Sequence, residues 1–79
     1  MPEPLSAATR VLGERVRAQR HILGLSQEGL AHECGIHWTF LGQVERGRRN
    51  ISLTNLLKIA DGLGIDPAVL VRGLTTRDR

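Results

Sequence analysis

The stretch SQEGLAHECGIHWTFLGQVERG, residues 26–47, decides the fold predicted for this chain. Its first serine is well placed to cap a helix that ends at Cys34, because a serine oxygen can accept hydrogen bonds from the first helical turn. Gly35 follows directly, and a glycine there can take the positive φ that lets another helix begin within about three residues. That helix starts at about residue 37 or 38 and ends at Arg46. The stretch therefore predicts two short helices joined by a tight turn.

The segments on either side carry helical patterns as well. Apolar residues from residue 6 to about residue 23 fall on one face of a long amphipathic helix. Ser52 is placed to cap a fourth helix, which Gly64 closes. A fifth helix is predicted to start at Asp66-Pro67 and to continue through Val69, Leu70 and Leu74. Five helices and no strand candidate predict an all-α fold.

The composition is that of a small folded protein with an excess of positive charge. The 79 residues are 41% hydrophobic and carry 11 Lys and Arg against 8 Asp and Glu, which gives a formal net charge of +3. We expect one domain over residues 1–79, with a core spanning about 6–74 and short loose tails. Every basic residue except Lys58 is an arginine, which can pair with phosphate or guanine through two hydrogen bonds. The charge favours an anionic partner, although an ordinary solvated surface would also account for it.

Cys34 is the only cysteine, so no disulfide can form within the chain and a reducing compartment is expected. With no secretory pattern and no segment of transmembrane length, we predict a cytoplasmic protein without a membrane partner. His32, Cys34 and His37 are spaced like metal ligands, but no fourth ligand is evident and a buried thiol explains the cysteine better. We therefore expect no metal, no cofactor, no small-molecule ligand and no enzymatic activity.

Residues 26–47 also contain a pattern of spaced positions, Ser26-Gln27-x-x-Leu30-Ala31-x-x-x-Gly35-Ile36 and then Leu41-x-x-Val44-Glu45-Arg46-Gly47. On this pattern the chain resembles the Xre family of helix-turn-helix regulators, which includes the lambda-type phage repressors. The resemblance extends over about residues 11–74. It implies a five-helix, lambda repressor-like domain in which the second and third helices form the helix-turn-helix. It also implies a transcriptional regulator that binds double-stranded DNA with its third helix in the major groove.

The resemblance assigns base contacts to one face of the third helix and a phosphate contact to Gln27. The family's base-contacting positions are Trp38, Thr39 and Gln43 in this sequence. At 100° per residue, the outer face of the helix contains Trp38, Thr39, Gly42, Gln43 and Arg46. Thr39 and Gln43 present a methyl, a hydroxyl and an amide suited to base edges. Two alternatives stay open: Gln43 as a plainly solvated residue, and Trp38 as a half-buried aromatic folded against the protein.

The positions predicted to contact DNA phosphates lie at the end of the third helix and directly after it. They are Arg46, Arg48, Arg49 and Asn50, with a solvated run of charge as the alternative. His37 stands where the family often has a capping Ser or Thr. Because histidine is a poorer cap, we expect His37 to reach a phosphate, and the start of the helix stays open. Arg20 and Glu45 match a pair that in the related phage repressors is a buried ion pair joining the first and third helices.

The fifth helix is expected to form a homodimer contact. The fourth helix must pack its apolar face into the core of the monomer, whereas the fifth has apolar surface to spare. The predicted contact residues are Ile65, Val69, Leu70 and Leu74. A two-fold dimer requires a palindromic operator with half-sites about one DNA turn apart. No sensor domain is evident beside the DNA-binding fold, so we expect a regulator that responds to its own concentration. The run at 44–53, VERGRRNISL, is similar to the controller proteins of restriction-modification systems. The alternative is a protein-interaction module such as an antitoxin of a toxin pair, although the short polar tails weigh against it.

Overall fold

Five α-helices make up the computed structural model, which describes residues 3–77. The helices are α1 (Ala7–Ile22), α2 (Gln27–Cys34), α3 (Trp38–Glu45), α4 (Leu53–Leu63) and α5 (Ala68–Val71). Within residues 3–77 there is no strand, and none of the helices has the length and apolar character needed to cross a bilayer. The predicted all-α fold with five helices is confirmed, and α2 and α3 form the helix-turn-helix.

Serine side chains cap three of the helices at their N-termini. Ser26 Oγ accepts a hydrogen bond from the Gly29 N–H at 3.0 Å, and Ser52 Oγ accepts one from the Asn55 N–H at 3.1 Å. Ser6 begins α1 as part of a capping box. Each cap satisfies a backbone donor that has no partner within its own helix. The starts predicted at Ser26 and Ser52 are confirmed.

Only residues 35–37 separate α2 from α3. Gly35 has a φ of 69°, in the left-handed region that favours glycine. The Ile36 N–H then donates back to the Ala31 carbonyl oxygen at 3.0 Å, which satisfies a carbonyl at the end of α2. This turn sets the angle at which α3 leaves α2.

All five helices contribute to one apolar core. Its largest fully buried side chains are Val16, Leu30, Leu41, Val44, Ile59 and Leu70. Burial of each such side chain is worth roughly 1.5–3 kcal/mol relative to exposure, so this cluster supplies the main stabilisation of a chain this short. Two of these residues, Leu41 and Val44, belong to α3. The core therefore holds α3 by its inner side and leaves the other side free.

α1 approaches the C-terminal end of α3 closely at Gly13. A Cβ built on Gly13 would lie 2.6 Å from the Glu45 carbonyl oxygen, and the Val44 carbonyl oxygen is also in the way. Since both obstacles are backbone atoms, only glycine permits this spacing of the two helices. The position of α3 relative to α1 depends on it.

The fifth helix is a single turn and does not include Leu74. It ends at Val71, since Arg72 has an extended ψ of 126° and Gly73 a positive φ of 74°. The Arg15 guanidinium donates to the Leu70 carbonyl oxygen at 3.2 Å and to the Arg72 carbonyl oxygen at 2.7 Å. These bonds satisfy carbonyls that have no helical partner. The predicted continuation of this helix to Leu74 is therefore wrong, although Leu74 packs against the core.

Candidate nucleic-acid interface

α3 turns a polar side towards solvent. Trp38 and Thr39 are exposed and Gln43 is half-buried, while the opposite side of the helix packs into the core. Trp38 keeps 49% of its surface exposed, and its ring stacks on His37 with 6.0 Å between the ring centroids. The structure thus brings the three residues predicted to contact bases to one side of α3. All three can reach a ligand that approaches from this direction.

A histidine caps the start of α3. His37 Nδ1 accepts a hydrogen bond from the Thr39 N–H at 3.1 Å, and the Thr39 hydroxyl also contacts this nitrogen. The sequence left the start of the helix open, and the structure begins it at Trp38 with His37 as the N-cap. Because Nδ1 serves as the acceptor, the neutral ring carries its proton on Nε2. His37 is exposed, so this N–H remains available to another group.

Gly42 lies beneath two long side chains. It is buried, and a Cβ placed on it would lie 3.4 Å from both Gln27 Oε1 and Arg46 Nη1. The prediction that Gly42 belongs to the exposed face is wrong, because Gln27 from α2 and Arg46 after α3 cover it. These two polar side chains consequently lie close together where the two helices meet.

A buried ion pair joins α1 to the end of α3. Arg20 Nε donates to Glu45 Oε2 at 2.7 Å, and Arg20 Nη2 donates to Glu45 Oε1 at 2.9 Å. Arg20 Nη1 also donates to the Leu25 carbonyl oxygen at 2.9 Å, and Gln27 Nε2 donates to Glu45 Oε1 at 3.1 Å. The hydrogen bonds and charge of Glu45 raise the pKa of Arg20, against the opposing effect of burial. The network fixes α3 relative to α1 and to the start of α2.

Positive charge gathers beside the exposed side of α3. Arg46, Arg48 and Arg49, called here the arginine cluster, line a shallow depression together with Gln43. Arg48 Nη1 donates to the backbone carbonyl oxygen of Glu3 at 3.1 Å, a bond that uses one donor and leaves the charge in place. No acidic side chain lines the depression. It is suited to an anion that lies next to the polar side of α3.

Arg49 contacts α3 in a way that sequence reasoning missed. Its Nε donates to Gln43 Oε1 at 2.6 Å, and its Cζ lies 5.2 Å from the centroid of the Phe40 ring. Arg49 lies in the loop after α3, where no helical periodicity indicates which side chains meet. Asn50, the next residue, is exposed beside it. No signal in the sequence would have identified this contact.

Cys34 is a buried residue of α2. Its Sγ donates to the Ile59 carbonyl oxygen at 3.8 Å, and a Cβ on Gly62 of α4 would lie 3.0 Å from the Cys34 backbone nitrogen. Burial raises the pKa of the Cys34 thiol to about 11, with smaller contributions from the charges of Glu33 and Asp61. The thiol is therefore neutral at physiological pH. Among residues 3–77, no three side chains of metal-binding type are grouped closely enough to hold an ion.

The four residues predicted for a dimer contact lie in different environments. Ile65, Val69 and Leu74 are partly exposed, whereas Leu70 has no exposed surface. The prediction that Leu70 contacts a partner is therefore wrong, since it packs in the core of its own chain. α4 also exposes more apolar surface than expected. The exposed large apolar side chains of α4 and α5 are Leu53, Leu57 and Val71.

Residues 16–70 match the family described as Helix-turn-helix. The chain belongs to this family. Helix-turn-helix proteins of this kind are DNA-binding transcriptional regulators, so the chain is such a regulator and not an enzyme. The resemblance deduced from the pattern at residues 26–47 is confirmed.

Several relatives of this helix-turn-helix protein are controller proteins. The chain is 44% identical to control protein C.BamHI of Bacillus amyloliquefaciens over 62 residues, which are 77% of this chain and 76% of that protein. It is 44% identical to control protein C.SmaI of Serratia marcescens over 63 residues, or 78% and 75% of the two chains. Its structure resembles that of the restriction-modification controller protein C.AhdI from Aeromonas hydrophila, with 47% identity and a TM-score of 0.79. That match covers 81% of this chain and 97% of the other.

Proposed function

We propose that this helix-turn-helix protein binds a palindromic operator as a homodimer and controls its own gene within a restriction-modification system. The observation that carries the proposal is the exposed polar side of α3 with the arginine cluster beside it. Similarity to C.BamHI, C.SmaI and C.AhdI supports the controller role. As part of the same proposal the protein acts in the cytoplasm, where a single unpaired cysteine stays reduced.

α3 has the dimensions and side chains that recognition in the major groove requires. Eight residues make a helix about 12 Å long, which fits a groove about 12 Å wide. In this arrangement Thr39 and Gln43 meet base edges through a methyl, a hydroxyl and an amide. Trp38 lies at the start of the helix, where its exposed ring can contact thymine methyl groups and sugars.

The groups around α3 supply the contacts to the DNA backbone. The arginine cluster and Asn50 lie on the C-terminal side of the helix, and His37 offers its Nε2–H at the N-terminal side. Gln27 gives one amide hydrogen to Glu45 and keeps the second for a phosphate. Contacts at both ends of α3 would fix its position along the groove without reading sequence. The Arg20–Glu45 pair holds the helix in the orientation that these contacts need.

A second copy of this chain is the partner proposed for the apolar side chains of α4 and α5. Leu53 exposes 70% of its surface, Leu57 40% and Val71 39%, and the partly exposed Val69 lies on the same short α5. Exposed apolar side chains on consecutive helices are candidates for a contact with another protein where they form one patch. In the proposed dimer, pairing through a two-fold axis covers these side chains, and recognition of two half-sites requires the two copies of α3 to lie about 34 Å apart, one DNA turn.

Protection of DNA upstream of the protein's own gene tests the proposal. The protein should protect two inverted half-sites about one helical turn apart. Gln43→Ala is expected to fold normally and to lose protection of that site at the same protein concentration, because Gln43 is not part of the core. Absence of any protected site, or protection of one asymmetric half-site only, would overturn the proposal.

A further inference from the structure

Arg49 is held against α3 from two directions. Its Nε lies 2.6 Å from Gln43 Oε1, and its guanidinium lies over the Phe40 ring with 5.2 Å from Cζ to the ring centroid. Stacking on an aromatic face and a charge-assisted hydrogen bond both restrict a side chain that would otherwise be mobile. Within residues 3–77, Nε is the only guanidinium nitrogen of Arg49 that donates a hydrogen bond, so the other two nitrogens are available to a ligand.

The backbone after α3 brings Arg49 to this position. Gly47 has a φ of 73°, and its N–H donates to the Val44 carbonyl oxygen at 2.9 Å. The Arg48 N–H then donates to the Gln43 carbonyl oxygen, also at 2.9 Å. This pair of bonds around a left-handed glycine is the Schellman arrangement, which reverses the chain at the end of a helix. The reversal returns residues 48 and 49 to the side of Gln43.

The bond with Arg49 fixes which end of the Gln43 amide points outward. A guanidinium has only donors, so the atom that it contacts must be the amide oxygen and not the amide nitrogen. The Nε2 group of Gln43, with two hydrogens, is the end left to approach a ligand. In the major groove guanine presents two adjacent acceptors, O6 and N7, whereas a paired contact with adenine needs both an amide donor and an amide acceptor.

We propose that Arg49 is a positioning residue that holds the Gln43 amide as a hydrogen-bond donor and thereby makes this position select guanine over adenine. The inference rests on the proposed function, in which α3 lies in the major groove. Adenine would require Gln43 Oε1 to accept a second hydrogen bond, from the adenine N6 amino group, on the lone pair that the charged Arg49 donor leaves. Guanine requires no change in the contacts that Gln43 makes without DNA.

Selection of duplexes from a random library tests this inference. The base pair read by Gln43 is the one at which Gln43→Ala relaxes the preference of the wild-type protein. We expect guanine at that position, and replacement of this base by 7-deazaguanine should weaken wild-type binding by about tenfold and Gln43→Ala binding much less. Arg49→Ala should lower the preference for guanine over adenine at the same pair by about tenfold.

Two variants separate the effect of Arg49 on the position of Gln43 from the effect of its positive charge. Arg49→Lys keeps the positive charge but lacks the planar guanidinium that fits between Phe40 and Gln43, so it should keep the salt dependence of binding and lose the guanine preference. Arg48→Ala removes a side chain of the same cluster that bonds the Glu3 carbonyl oxygen and not the Gln43 side chain, while the backbone bond from residue 48 to Gln43 stays; it should weaken binding and keep the preference. Adenine at the identified pair, or an unchanged preference in both Arg49 variants, overturns the inference and leaves the proposed function intact. Failure to select any duplex contradicts the proposed function, and the inference falls with it.

Discussion

Arg20 and Glu45 are opposite charges in a place from which water is almost excluded. Each residue keeps 8% of its surface exposed, and two hydrogen bonds join the two side chains. Desolvation of both charges offsets much of their attraction, so the intact pair adds little net stability. Loss of one partner is different, because the other charge is then buried without compensation. The pair is better understood as a device that fixes α3 than as a source of stability.

A double-mutant cycle should detect the coupling of this pair. Arg20→Ala and Glu45→Ala are each expected to lower the free energy of unfolding by about 3 kcal/mol or more, and the double variant by less than the sum. Urea denaturation measures all four proteins. Arg10 and Glu14 form an exposed ion pair on α1 at 3.1 Å, and the same cycle on that pair should show far smaller effects. Strict additivity at Arg20 and Glu45 would show that the pair does not act as a unit.

The Cys34 thiol predicts a loss of stability at alkaline pH. The pKa of the thiol is raised from 9.0 to about 11 in the folded chain. The stability that the folded state gains by keeping this thiol protonated is therefore fully present below pH 9 and is lost as the pH rises towards 11. Between pH 9 and 10.5 the wild-type protein should lose about 1.5 kcal/mol more stability than Cys34→Ala. Thermal or urea unfolding of both proteins at the two pH values measures the difference. Parallel profiles would mean that the thiol is not buried as described.

Local sequence rules predicted the bounds of the helices better than the contacts between them. Capping serines and the glycines at residues 35 and 64 predicted the bounds of α2 and α4, because capping and left-handed turns depend on a few neighbouring residues. Periodicity predicted the inner side of α3, but it failed at Gly42, which side chains from outside the helix cover. The argument that the fifth helix has apolar surface to spare failed at Leu70, whose burial depends on packing across helices. The contact between Arg49 and Gln43 depends on the path of a loop, which no periodic pattern describes.

Two glycines inside helices offer a test of how the elements pack. An added Cβ at Gly13 meets backbone oxygens of α3, whereas one at Gly42 meets only the ends of the flexible Gln27 and Arg46 side chains. Both replacements by alanine gain about 1 kcal/mol of helix propensity. Gly13→Ala should nevertheless be destabilised by about 1–3 kcal/mol, because backbone must move. Gly42→Ala should be as stable as the wild type or more so. Urea unfolding in which Gly13→Ala matches Gly42→Ala would contradict the close approach of α1 to α3.

Assembly of two chains is a property of the whole molecule. Val69→Asp places a charge on the partly exposed side of α5 and should yield monomers, since a buried unpaired charge is unfavourable in an interface. Ile22→Asp is the matched control, because Ile22 is 75% exposed but lies at the end of α1. Sedimentation of both variants at micromolar concentration distinguishes monomers from dimers. A dimeric Val69→Asp protein, or a monomeric Ile22→Asp protein, would move the interface away from α4 and α5.

The distribution of charge over the whole molecule separates two kinds of contact with DNA. Gln43 is uncharged and lies on α3, whereas Arg48 carries a charge beside it. Arg48→Gln is preferable to alanine here, because glutamine keeps a donor for the Glu3 carbonyl oxygen while it removes the charge. Lys58→Gln is the control for loss of one charge from α4, outside the arginine cluster.

The affinity for operator and scrambled duplexes across a salt series tests most directly whether α3 lies in the major groove. Gln43→Ala should weaken operator binding by about 1–3 kcal/mol and leave both the scrambled duplex and the salt slope nearly unchanged. Arg48→Gln should weaken both duplexes and reduce the magnitude of the slope by about two in a dimer, while Lys58→Gln should leave the slope unchanged. Equal weakening of both duplexes by Gln43→Ala, or an intact slope in Arg48→Gln, would contradict the placement of α3 in the groove.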